Sequence, residues 1–195
     1  MLPNPIKYHI YHGQDLPEPW PYDYVMAGQG LLKRAVTPHF EVALRIAGRR
    51  VAGLPDYPGL GVRLLAPRIP MRLFERVLQH ARWAGEYPGN GKLLRPIEQM
   101  YHFHWLDDGW RVAVPRQQAT FGRVSYSGGH DANIVLDLHS HHQMAAYFSE
   151  TDNRDEQGCR FYGVLGSIYD RPKLALRLGV YGDFFRVKRQ LLFEE

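Results

Sequence analysis

Apolar residues spaced for one face of a helix mark residues 69–85 as the clearest helical segment of the chain. They recur with a period of about 3.6 residues at Met71, Phe74, Val77, Leu78 and Ala81. A proline stands near the start of the segment and a glycine closes it, which is the asymmetry that helix ends favour. We therefore predict a helix over 69–85, followed by a turn at the breakers of 88–91.

Short runs rich in β-branched and aromatic residues follow this helix and predict strands. The predicted strands lie near 97–105, 110–114, 123–126, 134–138, 161–168, 174–181 and 184–187. A second helix is predicted after Ser149, and Trp105 and Trp110 are expected to pack against each other across the hairpin turn at 107–109. Together these elements predict an α+β domain with a central mixed sheet over residues 67–195.

Residues 1–66 differ from the rest of the chain in their sequence pattern. Prolines such as Pro17 and Pro38 separate short stretches in which apolar and polar residues alternate. The clearest predicted hairpin pairs the alternating run 40–46 with the residues after Ala47 and Gly48. We predict a small β-rich module over 1–66. Substrate selection, self-association and a purely structural role are all open for this module.

Composition agrees with a soluble enzyme: the chain has 195 residues, of which 45% are hydrophobic and 13% aromatic. No stretch approaches the roughly 20 apolar residues of a membrane span, and the N-terminus lacks the apolar segment of a signal peptide. The single cysteine, Cys159, fits a reducing compartment, so we expect a cytoplasmic protein. The net charge of +4 is mild and its basic residues are scattered, which disfavours a nucleic-acid partner.

Two histidines at the end of the apolar run 134–138 carry the most informative chemistry in the sequence. His139 and His141 are two residues apart, so a strand projects both imidazoles from the same face. Asp152 adds a carboxylate one loop later. Catalytic zinc usually has three protein ligands and an open fourth position, and one cysteine excludes a closed thiolate cage. The pattern predicts one catalytic Zn²⁺ per chain, although a histidine pair alone is more often polar decoration of a strand.

A longer motif extends this histidine pair. The spacing His-x-His-x7-Ser-x-x-Asp over His139, His141, Ser149 and Asp152 resembles the JAMM, or MPN+, motif of metalloproteases. The resemblance implies an MPN/JAB-like fold, a cytidine deaminase-like mixed sheet flanked by helices, with zinc held by the two histidines and the aspartate. It also implies that Ser149 donates a hydrogen bond to the oxyanion, and the same serine is placed to cap the helix that follows.

The resemblance also requires a glutamate on an upstream strand, where it orients the reacting water and accepts its proton. Glu98 fits best, because it follows the predicted helix and lies in the strand predicted at 97–105. The competitors are weaker, since Glu41 alternates onto the polar face of a hairpin strand and Glu75 and Glu86 flank the helix. A surface or salt-bridge role is the ordinary alternative for a strand glutamate.

Three further residues are candidates for supporting the metal ligands or contacting substrate. By the period-two rule His102 shares a strand face with Glu98, although such a residue more often packs or meets solvent. Asp137 lies two residues before His139 and is placed to orient its imidazole, but an aspartate paired with a nearby base is equally ordinary. His142 replaces the proline that commonly follows the second histidine in the family. A metal ligand, a substrate contact and a solvated loop residue are open for it, and the last is favoured.

A narrower resemblance covers roughly the last two thirds of the chain. Residues 135–141, 148–152, 160–166 and 178–182 look like the protein A family of the bacterial PRTRC system. This resemblance implies a deubiquitinase-like zinc peptidase or isopeptidase that cleaves after the C-terminal tail of a small ubiquitin-like protein. It also implies a ThiF/E1-like protein as a further partner.

Two other functions remain as alternatives. A non-catalytic MPN scaffold would bind a ubiquitin-like or E1/ThiF-like partner, but such relatives typically lack metal ligands that this sequence contains. A PHP-type phosphoesterase also opens with Asp-Leu-His-Ser-His, yet it needs further histidines and none follows His142. A zinc deaminase is disfavoured because its H-x-E and P-C-x-x-C elements are missing.

Overall fold

The computed structural model describes residues 5–86, 95–126 and 131–195, and the chain divides after Pro67 into two units. The first unit, Met1–Pro67, contains strands β1 Lys7–Ile10, β2 Tyr22–Ala27, β3 Gly30–Val36, β4 Phe40–Ala47 and β5 Gly61–Leu64. The second unit, Arg68–Glu195, contains helices α1 Met71–Trp83, α2 Glu150–Asp155 and α3 Arg189–Leu192. Its strands are β6 Gly85–Glu86, β7 Arg95–Pro96, β8 Met100–Leu106, β9 Gly109–Ala113, β10 Gln117–Thr120, β11 Arg123–Tyr126, β12 Ile134–Ser140, β13 Cys159–Gly166, β14 Lys173–Val180 and β15 Asp183–Arg186. The turn predicted at 88–91 lies outside the described residues.

The first unit is a five-stranded sheet in the order β1-β2-β3-β4-β5, with β1 parallel to β2 and the other pairs antiparallel. The predicted pairing of 40–46 with residues after Gly48 is present, but the partner strand β5 begins only at Gly61 rather than directly after the turn. β4 also pairs with β3, which precedes it, and this pairing was not predicted. The turn forms before β4 because the Thr37 hydroxyl oxygen accepts the backbone N–H groups of His39 and Phe40, at 3.2 and 3.1 Å.

The second unit is organised by a six-stranded mixed sheet in the order β15-β14-β13-β12-β8-β9. β12 and β13 are parallel, and the remaining neighbours are antiparallel. All seven residues of β12 are buried, because this strand lies between β8 and β13 in the middle of the sheet. The mixed sheet with its helices agrees with the predicted α+β class.

Helix α1 agrees with the helix predicted over 69–85, but it is two residues shorter at each end. Its buried residues fall on one face, as the 3.6-residue spacing predicts, and are Leu73, Phe74, Val77 and Ala81. The helix begins only after Pro70, because Ile69 forms a β-bridge with Phe193. None of the helices in the described residues is long and apolar enough to span a bilayer.

The hairpin of β8 and β9 has the predicted tryptophan pair. Trp105 and Trp110 lie opposite each other, and their ring centroids are 5.5 Å apart. The strand predicted at 97–105, however, begins at Met100, so Glu98 lies in an irregular segment before β8. The backbone of that segment is hydrogen-bonded to a residue outside the six-stranded sheet, since the Glu98 N–H donates to the carbonyl oxygen of Thr120 at 2.8 Å.

Thr120 belongs to a two-stranded antiparallel ribbon, β10 with β11, that turns at Phe121 and Gly122. β11 has the bounds that the sequence predicts, whereas β10 was not predicted because its residues, Gln117–Thr120, are mostly polar. The side chain of Gln117 accepts the Met100 N–H at 2.8 Å. The ribbon therefore fixes the backbone immediately before and at the start of β8.

Candidate metal centre

The predicted metal ligands converge at the end of β12. His139 and His141 are buried, and their Nε2 atoms are 3.2 Å apart. Asp152, on the short helix α2, places its Oδ1 atom 3.6 Å from Nε2 of His139. One ligand atom from each of the three residues lies within 4.8 Å of the other two. The three side chains therefore form a cluster that could hold one metal ion.

The protonation of the two imidazoles fits a metal site. Nδ1 of His141 is 3.1 Å from the carbonyl oxygen of Ala145. Since a carbonyl only accepts hydrogen bonds, Nδ1 carries the proton and Nε2 presents its lone pair to the cluster. Burial lowers the pKa of both His139 and His141, which favours neutral rings. Two neutral imidazoles and one carboxylate are a donor set that suits zinc.

Ser149 and Asp152 form a capping box at the start of α2. The Ser149 hydroxyl donates to Oδ2 of Asp152 at 2.7 Å, and the Ser149 backbone N–H donates to the same oxygen at 2.5 Å. In return the Asp152 N–H donates to Oγ of Ser149 at 3.2 Å. The predicted cap is present, and it engages Oδ2 while Oδ1 faces His139. The single hydroxyl proton of Ser149 points at Asp152 here, so the predicted oxyanion contact requires rotation of this hydroxyl.

Glu98 lies beside the three predicted metal ligands. Its side chain is buried, and its Oε1 atom is 3.7 Å from Nε2 of His141. Burial, with a smaller contribution from the negative charge of Asp152, raises the pKa of Glu98 to about 7. A carboxyl group with a pKa near neutrality can both accept and release a proton under ordinary conditions. The position that the sequence assigns to a base therefore holds a group suited to proton transfer.

A cavity of about 400 Å³ lies over these side chains. Its lining includes Glu98, His139, His141, Ser149 and Asp152, together with residues of the β10–β11 ribbon. The five residues that the sequence nominates for metal binding and catalysis thus border one common space. That space is large enough to admit part of a peptide.

Comparison with known protein families finds a match over the part of the chain that contains these residues. Residues 74–178, more than half of the chain, match the family described as prokaryotic homologs of the JAB domain. The chain belongs to this JAB family. The match contains Glu98 and the whole His139, His141 and Asp152 cluster, and it lies within the second unit. A search of curated proteins gives no match to the chain.

Within the JAB region, Asp137 has partners other than the metal ligands. It lies on β12 two residues before His139, and its Oδ2 atom accepts a hydrogen bond from Nη1 of Arg160 at 3.0 Å. Its Oδ1 atom is 3.4 Å from Nε2 of His102. Burial raises the pKa of Asp137 to about 6. The hydrogen bond of Asp137 is thus to Arg160, which is the ordinary pairing of an aspartate with a nearby base.

His102 is buried on β8, opposite Asp137. The expectation that it shares a strand face with Glu98 is wrong, because Glu98 precedes the strand. Burial, with repulsion from the neighbouring positive side chains, lowers the pKa of His102 to about 4, so the ring is neutral. Its ring packs edge-on against Tyr126 with 5.1 Å between the centroids. These contacts favour a packing role for His102 beneath the cavity.

His142 is not a solvated loop residue, which corrects the favoured interpretation of the sequence. The side chain is fully buried, with 0% of its surface exposed. Its Nε2–H donates to the carbonyl oxygen of Phe121 at 2.6 Å, and its Nδ1 accepts the Gln143 N–H at 2.9 Å. Both ring nitrogens are thereby engaged, which argues against a ligand or substrate contact. His142 instead fastens the tip of the β10–β11 ribbon beside the metal cluster.

Replacing His142 with alanine should destabilise the fold without removing the metal site. The change leaves the carbonyl of Phe121 without its donor and opens a void, so we expect a loss of about 1–3 kcal/mol in the free energy of unfolding. Urea denaturation of the two proteins measures this difference. The exposed neighbour supplies the control, since Gln143→Ala should change stability by less than about 0.5 kcal/mol. Loss of zinc from His142→Ala at unchanged stability would instead make His142 a ligand.

Two residues near the site were not nominated from the sequence. Arg177 and Glu156 are buried and paired with each other, with Nε of Arg177 donating to Oε2 of Glu156 at 2.8 Å. The available signal was an arginine in the middle of the otherwise apolar run of β14. A charged residue in such a run is rarely buried without a partner. The pairing itself depends on contacts between distant parts of the chain.

Proposed function

We propose that this JAB-family chain is a zinc-dependent peptidase or isopeptidase of the JAMM type, built on an MPN-like, cytidine deaminase-like fold. The proposal rests on one observation, the convergence of two imidazoles and a carboxylate beside a buried glutamate. His139, His141 and Asp152 would hold the ion, and Glu98 stands 3.7 Å from His141 as the proton carrier. A scaffold without catalytic activity would not need a buried glutamate such as Glu98 beside the metal ligands.

The proposed chemistry divides between the ion and the protein. Zinc held by the three ligands would lower the pKa of a coordinated water to about 7 and polarise the substrate carbonyl. Glu98 orients the attacking water, accepts its proton and transfers that proton to the departing amine. Its raised pKa suits both transfers, because the carboxylate gains and then loses the proton near neutral pH. Burial of the side chain keeps bulk water from competing for that proton.

Ser149 has two successive parts in this proposal. Its hydroxyl first donates to Oδ2 of Asp152 and so helps to hold the carboxylate at the ligand position. When the substrate carbonyl becomes tetrahedral, the hydroxyl rotates and donates to the developing oxyanion. The backbone N–H of Ser149 continues to donate to Asp152 during that rotation, so the ligand stays in place.

The proposed substrate follows from the resemblance to the PRTRC protein A family. We propose that the bond cleaved lies after the C-terminal tail of a small ubiquitin-like protein, and that a ThiF/E1-like protein is a further partner. The reaction would take place in the cytoplasm, without a nucleic-acid or membrane component. The first unit, Met1–Pro67, is proposed to select the substrate or to mediate self-association.

The test combines metal analysis with a cleavage assay. Purified protein should contain one zinc per chain and should release a C-terminal extension from the ubiquitin-like protein of a PRTRC cassette. A chelator should stop the reaction, and added zinc should restore it. Protein that is fully loaded with zinc and binds the ubiquitin-like protein, yet never cleaves it, would support the non-catalytic scaffold instead.

A further inference from the structure

Helix α2 contains the metal ligand Asp152, but the helix has no buried side chains that would fix its position. It spans only the six residues Glu150–Asp155, and none of them is buried. Isolated helices of this length are not stable in water, and most helices in proteins are held by a packed apolar face. The capping box with Ser149 orders the first turn, but it does not attach the helix to the sheet. Another group must therefore set where Asp152 stands.

The guanidinium of Arg177 on β14 makes that attachment. Its Nε and Nη2 atoms donate to Oε2 of Glu156 at 2.8 and 2.5 Å, and its Nη1 atom donates to Oδ1 of Asn153 at 2.5 Å. The rings of Phe148 and Phe184 lie on the guanidinium, with centroids 4.0 and 3.8 Å from its central carbon. Only arginine combines a planar fork of donors with a flat surface for aromatic rings.

The residues that Arg177 contacts lie on both sides of the metal ligand Asp152 in the sequence. Phe148 directly precedes the cap residue Ser149, while Asn153 follows Asp152. Glu156 ends the helix, and its backbone N–H donates to the carbonyl oxygen of Asp152 at 2.9 Å. One buried guanidinium on the central sheet thus holds the segment on both sides of Asp152.

We propose that Arg177 is a positioning residue, which holds the carboxylate of Asp152 where it meets the two histidines and so sets the affinity for the cation. The inference rests on the proposed function only in that the cluster binds a divalent cation. It does not depend on what the site hydrolyses.

The charge of Arg177 makes the proposal testable by the sign of the effect. A positive side chain near a cation site repels the cation, so removing the charge alone would tighten binding. Removing the attachment of α2 would weaken binding, because Asp152 is then free to leave the cluster. The two roles of Arg177 therefore predict opposite changes in affinity.

The experiment measures zinc affinity by competition with a chelating indicator for the wild type, Arg177→Met and Arg177→Lys. We expect Arg177→Met to bind zinc about 10–100-fold more weakly, the usual cost of losing a group that orients a ligand. Arg177→Lys can still donate a hydrogen bond to Glu156 but cannot bond Glu156 and Asn153 through a planar fork, so it keeps part of the attachment and should fall between the other two. The visible spectrum of bound Co²⁺ reports separately whether Asp152 still coordinates, since fewer protein ligands weaken the bands of a tetrahedral site.

Arg186 provides the matched control, because it is exposed on β15 directly opposite Arg177 in the sheet. Arg186→Met should bind zinc as tightly as the wild type or slightly more so. Equal or tighter binding by Arg177→Met would overturn the proposal. If Arg177→Met fails to fold, Asn153→Ala decides, since weaker zinc binding supports the attachment and unchanged binding refutes it. Absence of zinc binding by the wild type would instead refute the proposed function.

Discussion

Replacing Glu98 with glutamine should lower the rate of hydrolysis by about 10²–10⁴-fold, the contribution that a positioned general base typically makes. Glutamine has nearly the same shape and can still form hydrogen bonds, but it cannot accept a proton from water. Zinc binding should persist, because Glu98 is not among the three residues whose ligand atoms form the cluster. The variant should therefore be fully loaded with zinc and almost inactive.

The measurement is single-turnover cleavage of the extended ubiquitin-like protein, with zinc content determined on the same samples. Glu75→Gln is the control, since it makes the same chemical change at an exposed position of α1. We expect this control to cleave at the wild-type rate. Equal rates for Glu98→Gln and the wild type would remove Glu98 from the reaction and leave the proton carrier unidentified.

The histidine pair illustrates what local sequence can predict. An apolar run indicates a buried strand, and the period of two then places His139 and His141 on one face of it. The structure has β12 inside the sheet and the two Nε2 atoms 3.2 Å apart, although the strand ends at Ser140 and His141 is the residue that follows it. Ser149 and Asp152 are equally local, because a serine three residues before an acidic residue is a capping signature.

The surroundings of Glu98 depend on contacts that the local pattern does not contain. The alternation of residues extends the predicted strand to residue 97, but backbone hydrogen bonding to the ribbon holds Glu98 outside β8. The partner, Thr120, follows Glu98 by more than twenty residues and belongs to a mostly polar strand. A strand without an apolar face gives no periodic signal, so neither the ribbon nor its effect on Glu98 is predictable from alternation.

The burial of His142 and Arg177 also depends on partners that are distant in the sequence. His142 donates to the carbonyl of Phe121, which is 21 residues earlier, and Arg177 pairs with Glu156, also 21 residues away. Composition predicts that histidine and arginine meet solvent, because a polar group is buried only where partners satisfy it. Those partners are brought together by the order of the strands, which local sequence does not specify.

The second prediction with a large expected effect concerns the metal ligand Asp152. Asp152→Asn should abolish high-affinity zinc binding and, with it, hydrolysis. The asparagine keeps the size of the side chain and can still accept the hydrogen bonds of Ser149, so the cap of α2 should survive. What it loses is the negative charge that partly balances the charge of a divalent zinc ion beside two neutral imidazoles. The change therefore removes a ligand while sparing the local fold.

Thermal unfolding with and without zinc measures this effect independently of any substrate. Zinc at 100 times its dissociation constant should stabilise the wild type by about 2.7 kcal/mol, since it binds the folded state in preference to the unfolded one. Asp152→Asn should gain almost nothing at the same zinc concentration. Asp155→Asn is the matched control, because Asp155 is an exposed carboxylate on the same helix that also lines the cavity. An equal zinc-dependent shift in both variants would mean that the ion is held elsewhere.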